Sequence, residues 1–284
     1  MEFFATFIVK PEEEAAFLPL LPIGYETQKG NTFLMGAATP EGQACGVIWL
    51  AREGLRLRVL HIETAAAFRN RGVASQLLDD LFTATRHVKQ QIPITAAFNR
   101  TPAHEAIYRL LRNRREIITD IDARIYHISP ACRASSAYYQ KLCGGYVCKD
   151  RYFGLDAAVR SRFLNQLDKE DREMLLSIPA ESYCQDMCFI CGTSEASHSA
   201  IFLTHTGPQQ IELSFFYLHP NQSVQQDLTH LLRSAAIVMQ QNYADCTLDI
   251  FAPERRVQRL VHRIFPTGIA YTDRIRADWV LSRA

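Results

Sequence analysis

The feature that most constrains the fold is an order of predicted elements that occurs twice along the chain. In each half, strand-length apolar or alternating runs precede a long amphipathic helix, which is followed by a strand, a shorter helix and a final strand. The predicted elements span residues 3–9, 44–50, 55–64, 74–90, 94–98, 102–111 and 116–128 in the first half, and 155–167, 187–191, 200–206, 211–218, 224–238, 247–251, 254–264 and 269–281 in the second. This order predicts an α/β fold of two similar tandem domains, each built on a mixed sheet.

Residues 129–150 interrupt this order of predicted elements. The segment contains Pro130 and the adjacent glycines Gly144 and Gly145, which favour turns over a continued helix or strand. We therefore expect a first domain at residues 1–128, a linker at 129–150 and a second domain at 151–284.

The charge balance narrows the class of partner. The chain has 31 Lys and Arg against 30 Asp and Glu, a net charge of +1, so neither nucleic acid nor an anionic membrane is expected as the main partner. Its 48% hydrophobic residues exclude a disordered chain. The acidic run at residues 12–14 and the lack of a long apolar stretch argue against a signal peptide or a membrane span, so we expect a cytoplasmic protein with reduced cysteines.

The most informative local motif lies between the strand predicted at 55–64 and the long helix. It consists of Arg69, Asn70, Arg71, Gly72, Val73, Ala74 and Ser75. A glycine-bearing turn at a helix N-terminus directs several main-chain N–H groups into one concavity, where the helix dipole favours an anion. Gly72 permits close approach of the main chain, and Arg69 and Arg71 add positive charge. The motif predicts a pyrophosphate site, and a solvated helix start is the alternative.

This R-x-x-G-x-A pattern, after a strand and before an amphipathic helix, resembles the acyl-CoA pyrophosphate loop of the GNAT superfamily of N-acyltransferases. Residues 1–128 resemble one GNAT domain, with the loop between its fourth strand and third helix. The resemblance implies acetyl-CoA as acyl donor, with its pyrophosphate on residues 69–75. It also implies that the pantetheine arm follows main-chain groups from Thr64 to Ala66 and ends near Asn99.

The second half resembles a GNAT domain in the order of its elements only. The corresponding connection, residues 218–223, has neither arginine nor glycine, and Pro220 lacks a main-chain donor. The resemblance therefore implies that the first half alone binds CoA and that the second is a degenerate partner module, which packs on the first or walls its acceptor cleft. A homodimer is compatible with this organisation.

Two polar residues precede the loop as candidate general bases. The odd positions of the strand are Leu55, Leu57, Val59, His61 and Glu63, so His61 and Glu63 are expected at the end of an otherwise apolar face. Transfer to an amine needs a proton acceptor, because an alkyl ammonium has a pKa of about 10.4. His61 lies where many GNAT sequences carry a catalytic glutamate, and Glu63 is two residues later. A structural histidine and a solvated glutamate are the alternatives.

A tyrosine is the candidate acid for the departing thiolate. Tyr108, on the helix after the fifth strand, resembles the GNAT tyrosine near the CoA sulfur, and a phenol with a pKa of about 10 stays protonated at neutral pH. Tyr139 matches that tyrosine motif better in its neighbouring letters but comes one element too late. Tyr108 is the expected acid, although the Gly-Phe that usually ends its helix is replaced by Arg114 and Arg115.

The expected function is transfer of an acetyl group from acetyl-CoA directly to the primary amine of a small molecule or peptide. A non-catalytic acyl-CoA sensor is the alternative, and peptide transfer from aminoacyl-tRNA is disfavoured because no broad basic surface is evident. Cys184, Cys188 and Cys191 have the spacing of iron–sulfur radical enzymes, but they run into an apolar strand. Zinc ligation together with Cys143 and Cys148 is the alternative, but the spacing between the two groups is irregular, so no metal is expected.

Overall fold

The computed structural model describes residues 4–22, 25, 30–86, 92–146, 150–194, 197–220 and 224–279. The chain divides into two compact units, one made of residues 1–122 and 274–284 and the other of residues 123–273. In the described part of the chain, no helix combines the length and the apolar character that crossing a bilayer requires.

The first unit combines a sheet with two helices. Its elements are β1 (Ala5–Ile8), β2 (Thr32–Ala38), β3 (Ala44–Glu53), β4 (Arg56–Thr64), α1 (Val73–Arg86), β5 (Ile94–Asn99), α2 (Glu105–Arg112), the start of β6 (Ile117–Ile128) and the end of β11 (Ala270–Trp279). The sheet order is β1-β2-β3-β4-β5-β11. Strands β4 and β5 run parallel, and the other neighbouring pairs run antiparallel. The predicted end of the long helix, residues 87–90, lies outside the described residues.

Helix α1 is fixed on one face of this sheet by its apolar stripe and by close contact at its start. Leu77, Leu78 and Leu81 are buried, as the three-and-four spacing predicts. Gly46 of β3 lies directly under the first residue of the helix, since a Cβ there would stand 2.7 Å from Val73 Cγ1. The glycine thus brings the N-terminus of α1 close to the sheet.

The second unit repeats the arrangement with additional helices. Its elements are α3 (Pro130–Ser135), α4 (Ala137–Cys143), α5 (Ala157–Gln166), α6 (Lys169–Ser177), β7 (Phe189–Ser194), β8 (Ser197–Gly207), β9 (Gln210–Tyr217), α7 (Val224–Asn242), β10 (Thr247–Ala252) and α8 (Arg255–Ile264). The end of β6 belongs to this unit, whose sheet order is β6-β10-β9-β8-β7. Strands β9 and β10 run parallel, like β4 and β5 in the first unit.

The units divide differently from the predicted domains, because two strands cross the boundary. Residues 124–128 of β6 pair with β10 in the second unit, whereas residues 274–278 of β11 pair with β5 in the first. The predicted division at 128 and 151 assigned each strand to its own half of the sequence. Long-range contacts determine which strands pair, and the local sequence patterns of β6 and β11 do not specify their partners.

The described part of the predicted linker is helical. Ser129 caps α3 by accepting from the N–H of Cys132 at 3.2 Å, and Pro130 takes the first helical position, where it removes no needed donor. Ser136 caps α4 by accepting from the N–H of Tyr139 at 3.1 Å. Buried side chains of these helices, including Leu142, belong to the core of the second unit. The proline and the serines therefore start helices instead of a linker.

Candidate active site

The candidate site of the first unit begins where β4 and β5 separate. Their parallel pairing covers Leu57 to Val59 on β4 and ends at the pair Val59 and Ala96, although β4 continues to Thr64 and β5 to Asn99. A cavity of about 600 Å³ opens beyond this point. It is lined by β4, by the end of β5, by α2 and by the start of α1. The opening leaves one edge of β4 without its neighbouring strand.

A bulge in β4 decides which way the candidate bases face. Trp49 pairs with His61 and Leu50 pairs with Val59, so Leu60 is an extra residue on β4. Val47 and Trp49 pack on the face opposite α1, and they are the cross-strand partners of Glu63 and His61. The prediction that both polar residues share a face with Leu57 and Val59 is therefore wrong.

The loop before α1 adopts the backbone that the glycine motif predicts. Gly72 has φ of +87° and Asn70 has φ of +62°, so two of its residues are left-handed. No atom lies within 4 Å of a Cβ built on Gly72, so the loop is open on that side. The N–H groups of the first turn of α1 have no acceptor within the helix. Residues Asn70, Gly72, Val73, Ala74 and Ser75 line the large cavity, so that the helix N-terminus opens into it.

Arg69 folds back from this loop onto the end of β4. Its Nη2 donates to Glu63 Oε1 at 3.0 Å, and its Nε donates to the carbonyl oxygen of Thr64 at 3.2 Å. Glu63 Oε1 also accepts from the N–H of Thr64 at 3.1 Å. The Arg69 side chain is 61% exposed and that of Glu63 is 35% exposed. Both main-chain groups of Thr64, expected to contact pantetheine, are therefore engaged by neighbouring side chains.

A second, smaller cavity of about 280 Å³ meets the first at this ion pair. The residues that line only this smaller cavity are apolar: Pro19, Leu20, Leu21, Ala65 and Ala66. Four residues line both cavities, namely His61, Glu63, Thr64 and Arg69. The polar groups of β4 therefore stand at the junction of a large and a small cavity.

The two candidate bases differ in their hydrogen bonds. His61 donates from Nε2 to the carbonyl oxygen of Leu20 at 3.0 Å, since a carbonyl can only accept. This bond ties β4 to the short 3₁₀ helix Leu18–Leu20. Glu63 is held by charged and main-chain donors and has a second carboxylate oxygen for another partner. Of the two, Glu63 is the better placed to accept a proton.

On the α2 side, the cavity is lined by residues other than the predicted tyrosine. Tyr108 is half-buried and is not among the described residues that line the cavity. The guanidinium carbon of Arg100 lies over its ring, 4.2 Å from the ring centroid. His104 does line the cavity and donates from Nδ1 to the carbonyl oxygen of Asn99 at 2.9 Å. The side chain of Asn99 is exposed and is not part of the described lining. His104 escaped the sequence analysis because it lies in a 3₁₀ turn, Pro102–His104, which carries no periodic pattern.

The alternative tyrosine belongs to the second unit. Tyr139 is 5% exposed within that unit's core, and its hydroxyl donates to the carbonyl oxygen of Ala236 at 3.1 Å. Burial raises the pKa of this phenol well above its ordinary value. Its side chain is a packing group with a satisfied hydroxyl.

Of the cysteines singled out by their spacing, Cys184 and Cys188 are buried and Cys191 is half-buried. Cys188 donates to the carbonyl oxygen of Cys184 at 3.3 Å, and Cys191 donates to that of Asp227 at 3.7 Å. Among the described residues, no group of three or more His, Cys, Asp or Glu side chains could hold a metal ion. Cys148 lies outside the described residues.

Comparison with solved structures identifies the architecture. A tandem GNAT protein from the clavulanic acid biosynthesis pathway matches 99% of this chain and 100% of its own, with a TM-score of 0.58 and 12% identity. The chain has the tandem GNAT fold. A GCN5-related N-acetyltransferase from Sphaerobacter thermophilus matches 98% of this chain and 96% of its own, with a TM-score of 0.54 and 12% identity. One from Kribbella flavida matches 97% and 71%, with a TM-score of 0.52 and 12% identity.

The comparisons by sequence, in contrast, find no match. No family model matches the chain, and neither does any curated protein. The tandem GNAT fold expected from the order of elements is thus confirmed by structure at identities of 12%. In the second unit, the connection that replaces the glycine loop is described only as far as Pro220, since residues 221–223 lie outside the described part.

Proposed function

We propose that this chain is an N-acetyltransferase that moves an acetyl group from acetyl-CoA directly to a primary amine of a small molecule or peptide. The observation that carries the proposal is the cavity of about 600 Å³ between the separated ends of β4 and β5, which opens onto the left-handed loop at the start of α1. A cavity of this size matches the range of small-molecule sites, about 300–1,000 Å³. The tandem GNAT fold supports the reaction class.

The negative charge of its diphosphate indicates where the proposed donor binds. The diphosphate of acetyl-CoA takes the concavity formed by Asn70, Gly72, Val73, Ala74 and Ser75, where main-chain N–H groups and the helix dipole favour an anion. The guanidinium groups of Arg69 and Arg71 add charge at the rim of the same loop. The pantetheine arm lies along the edge of β4 that β5 leaves after Val59. This path leads the thioester toward Glu63.

Glu63 is the proposed general base. A primary amine enters as an ammonium at neutral pH and must lose a proton before its nitrogen can attack the thioester carbonyl. The carboxylate of Glu63 takes that proton directly or through one water. The new N–C bond forms as the C–S bond breaks, and the electron pair leaves with the sulfur.

The departing thiolate has a proton donor at the other wall of the cavity. His104 directs Nδ1–H to the Asn99 carbonyl, so its Nε2 carries the exchangeable proton when the ring is an imidazolium. That proton can neutralise the sulfur, whose thiol form has a pKa of about 8.5. In this assignment His104 takes the role that the sequence suggested for Tyr108.

The second unit is proposed as a partner module without a donor site of its own. Residues 218–220 of its connection include Pro220 and lack a glycine, so the anion-binding turn of the first unit has no counterpart in these residues.

Acetyl-CoA turnover with a panel of primary amines tests the proposal. Purified protein is incubated with acetyl-CoA, release of free CoA is followed with a thiol reagent, and products are identified by mass spectrometry. The proposal expects amine-dependent release of CoA and an N-acetyl product, both lost in Glu63→Gln. Tight CoA binding without turnover would identify a sensor instead, and absence of CoA binding would overturn the site altogether.

A further inference from the structure

The ion pair of Arg69 and Glu63 keeps unused hydrogen-bonding groups on both partners. Glu63 accepts both of its bonds at Oε1, from Arg69 Nη2 at 3.0 Å and from the N–H of Thr64 at 3.1 Å. Arg69 donates from Nε to the carbonyl oxygen of Thr64 and from Nη2 to Glu63. Within the described part of the chain, Glu63 Oε2 therefore has no partner, and neither does the guanidinium edge formed by Nη1 and the second N–H of Nη2.

These open groups carry opposite charges at the mouth of the small cavity. Arg69 and Glu63 line both cavities, and their side chains are 61% and 35% exposed, so a ligand can reach them. A lone ammonium on Oε2 would add a second positive charge beside Arg69. A ligand that carries an ammonium and a carboxylate on one carbon atom avoids this repulsion. Its carboxylate can accept from Nη1 and Nη2 together, and its ammonium can donate to Oε2.

The walls of the small cavity restrict the rest of such a ligand. The residues that line only this cavity are apolar: Pro19, Leu20, Leu21, Ala65 and Ala66. An aliphatic group gains from burial against them, whereas a charged group would lose its hydration without a partner. The volume of about 280 Å³ is small for a binding site. It favours one small molecule over a longer chain.

We infer that the acceptor is a free α-amino acid with an uncharged aliphatic side chain. Arg69 binds the α-carboxylate, Glu63 Oε2 binds the α-ammonium, and the side chain lies in the small cavity. This inference rests on the proposed function and narrows its acceptor. The amino terminus of a peptide is excluded, because the carboxyl group of its first residue is an uncharged amide. Acetylation converts the ammonium to a neutral amide, so the product loses its ion pair with Glu63.

The test measures ligand binding to the free protein by NMR titration at neutral pH, which requires neither CoA nor turnover. L-leucine is compared with 3-methylbutylamine, which lacks the carboxylate, with L-leucinamide, whose carboxyl group is neutral, and with 4-methylpentanoate, which lacks the amine. Leucine should bind about ten- to hundredfold more tightly than each of these probes, since each lacks a charge-assisted interaction. L-glutamate, with a charged side chain, should bind at least about tenfold more weakly than leucine.

The outcomes separate this inference from the proposed function. Equal binding of leucine and 3-methylbutylamine, equal binding of leucine and glutamate, or no binding of leucine would overturn the inference. Acetylation of 3-methylbutylamine in preference to leucine would also overturn it and would leave the proposed N-acetyltransferase intact. Tight leucine binding without acetylation of any amine would overturn the proposed function and support the amino-acid site.

Variants assign the carboxylate to Arg69. In Arg69→Gln the ratio of leucine affinity to leucinamide affinity should fall to about one, and Arg69→Lys, which keeps the charge without the planar fork, should restore part of it. Arg71→Gln is the matched control from the same loop. The guanidinium carbon of Arg71 lies 5.7 Å from the centroid of the Phe68 ring, and Arg71 is not among the described residues that line either cavity. It should keep the full ratio; equal ratios in Arg69→Gln and Arg71→Gln would overturn the inference.

Discussion

The guanidinium of Arg114 donates a hydrogen bond of 2.9 Å to the main-chain carbonyl oxygen of Ser75. The same side chain also pairs with Asp79 of α1 and with Glu116. It is 14% exposed, so this is an inward arginine and not part of a solvated helix face. The turn after α2 thereby holds the first turns of α1, whose N–H groups form the proposed diphosphate site.

Replacing Arg114 should loosen that turn without touching the ligand. Arg114→Gln removes charge-assisted bonds from a largely buried group, so the free energy of unfolding should fall by about 1–3 kcal/mol, together with the affinity for CoA. Urea denaturation and calorimetric titration of CoA measure the two effects. The neighbouring Arg115 is exposed, and Arg115→Gln should change neither. Equal effects of both variants would show that the Ser75 contact is unimportant.

Gly72 should be needed for donor binding because of its backbone conformation. At φ of +87° an alanine costs about 1–2 kcal/mol, although space around its Cβ is open. Gly72→Ala should lower stability and weaken CoA binding severalfold. The control is Gly54→Ala at φ of +61° in the β3–β4 turn, where the Cβ is equally free. It should lower stability and leave CoA affinity intact; weaker CoA binding in the control would refute the assignment.

Substitutions at the two polar residues of β4 should lower kcat by different factors. Glu63→Gln removes the proton acceptor and should lower kcat by about 10²- to 10⁴-fold with most amines. His61→Gln should lower kcat less than tenfold, since the amide can still donate to the Leu20 carbonyl that His61 Nε2 contacts. Steady-state rates over a range of pH give both numbers. A larger loss in His61→Gln than in Glu63→Gln would exchange their roles.

His198 should make the second unit sensitive to acid. Burial, followed by the charge of Arg162, lowers the pKa of His198 below its ordinary value. The unfolded chain then binds a proton that the folded one resists, so this contribution to stability is complete above pH of about 6.5 and is lost as the pH falls toward the folded pKa. His198→Gln should flatten the decline of Tm over that window. His205→Gln, at an exposed position of the same strand, should leave the decline unchanged.

The buried thiols should be inert in the folded protein. Burial raises the pKa of Cys184 and of Cys188 to about 12, so that about one in 10⁴ of either is thiolate at pH 8. Iodoacetamide labelling followed by peptide mass spectrometry should find both unmodified until urea is added. The half-buried Cys246 provides an internal comparison. Rapid labelling of Cys188 without urea would mean that the segment directly before β7 opens readily.

Local patterns predicted the parts of the site that local chemistry determines. The apolar spacing of α1 and the glycine before it depend on neighbours within a few residues, and the structure has Val73 as first helical residue with Gly72 left-handed. The direction of His61 could not be predicted, because the bulge at Leu60 depends on how β3 pairs with β4. His104 was missed for a similar reason, since its place depends on where β5 ends.

The positions of the two tyrosines illustrate the same limit. Tyr139 has the better letter match but is a core residue of the second unit, and Tyr108 has the expected element order but stacks with Arg100. A motif letter specifies a residue type, whereas the direction of its side chain depends on which helix face meets the sheet. Only tertiary packing determines that face.

The path of β11 also has a consequence for biosynthesis. Its residues 274–278 supply the strand beside β5, although residues 123–273 separate them from Asp122 of β6, where the amino-terminal unit otherwise ends. A nascent chain that has emerged only as far as β6 therefore lacks one strand of its first sheet and exposes the edge of β5. Completion of the amino-terminal unit must wait until synthesis has passed Trp279, and a truncated chain that ends at β6 should be prone to self-association.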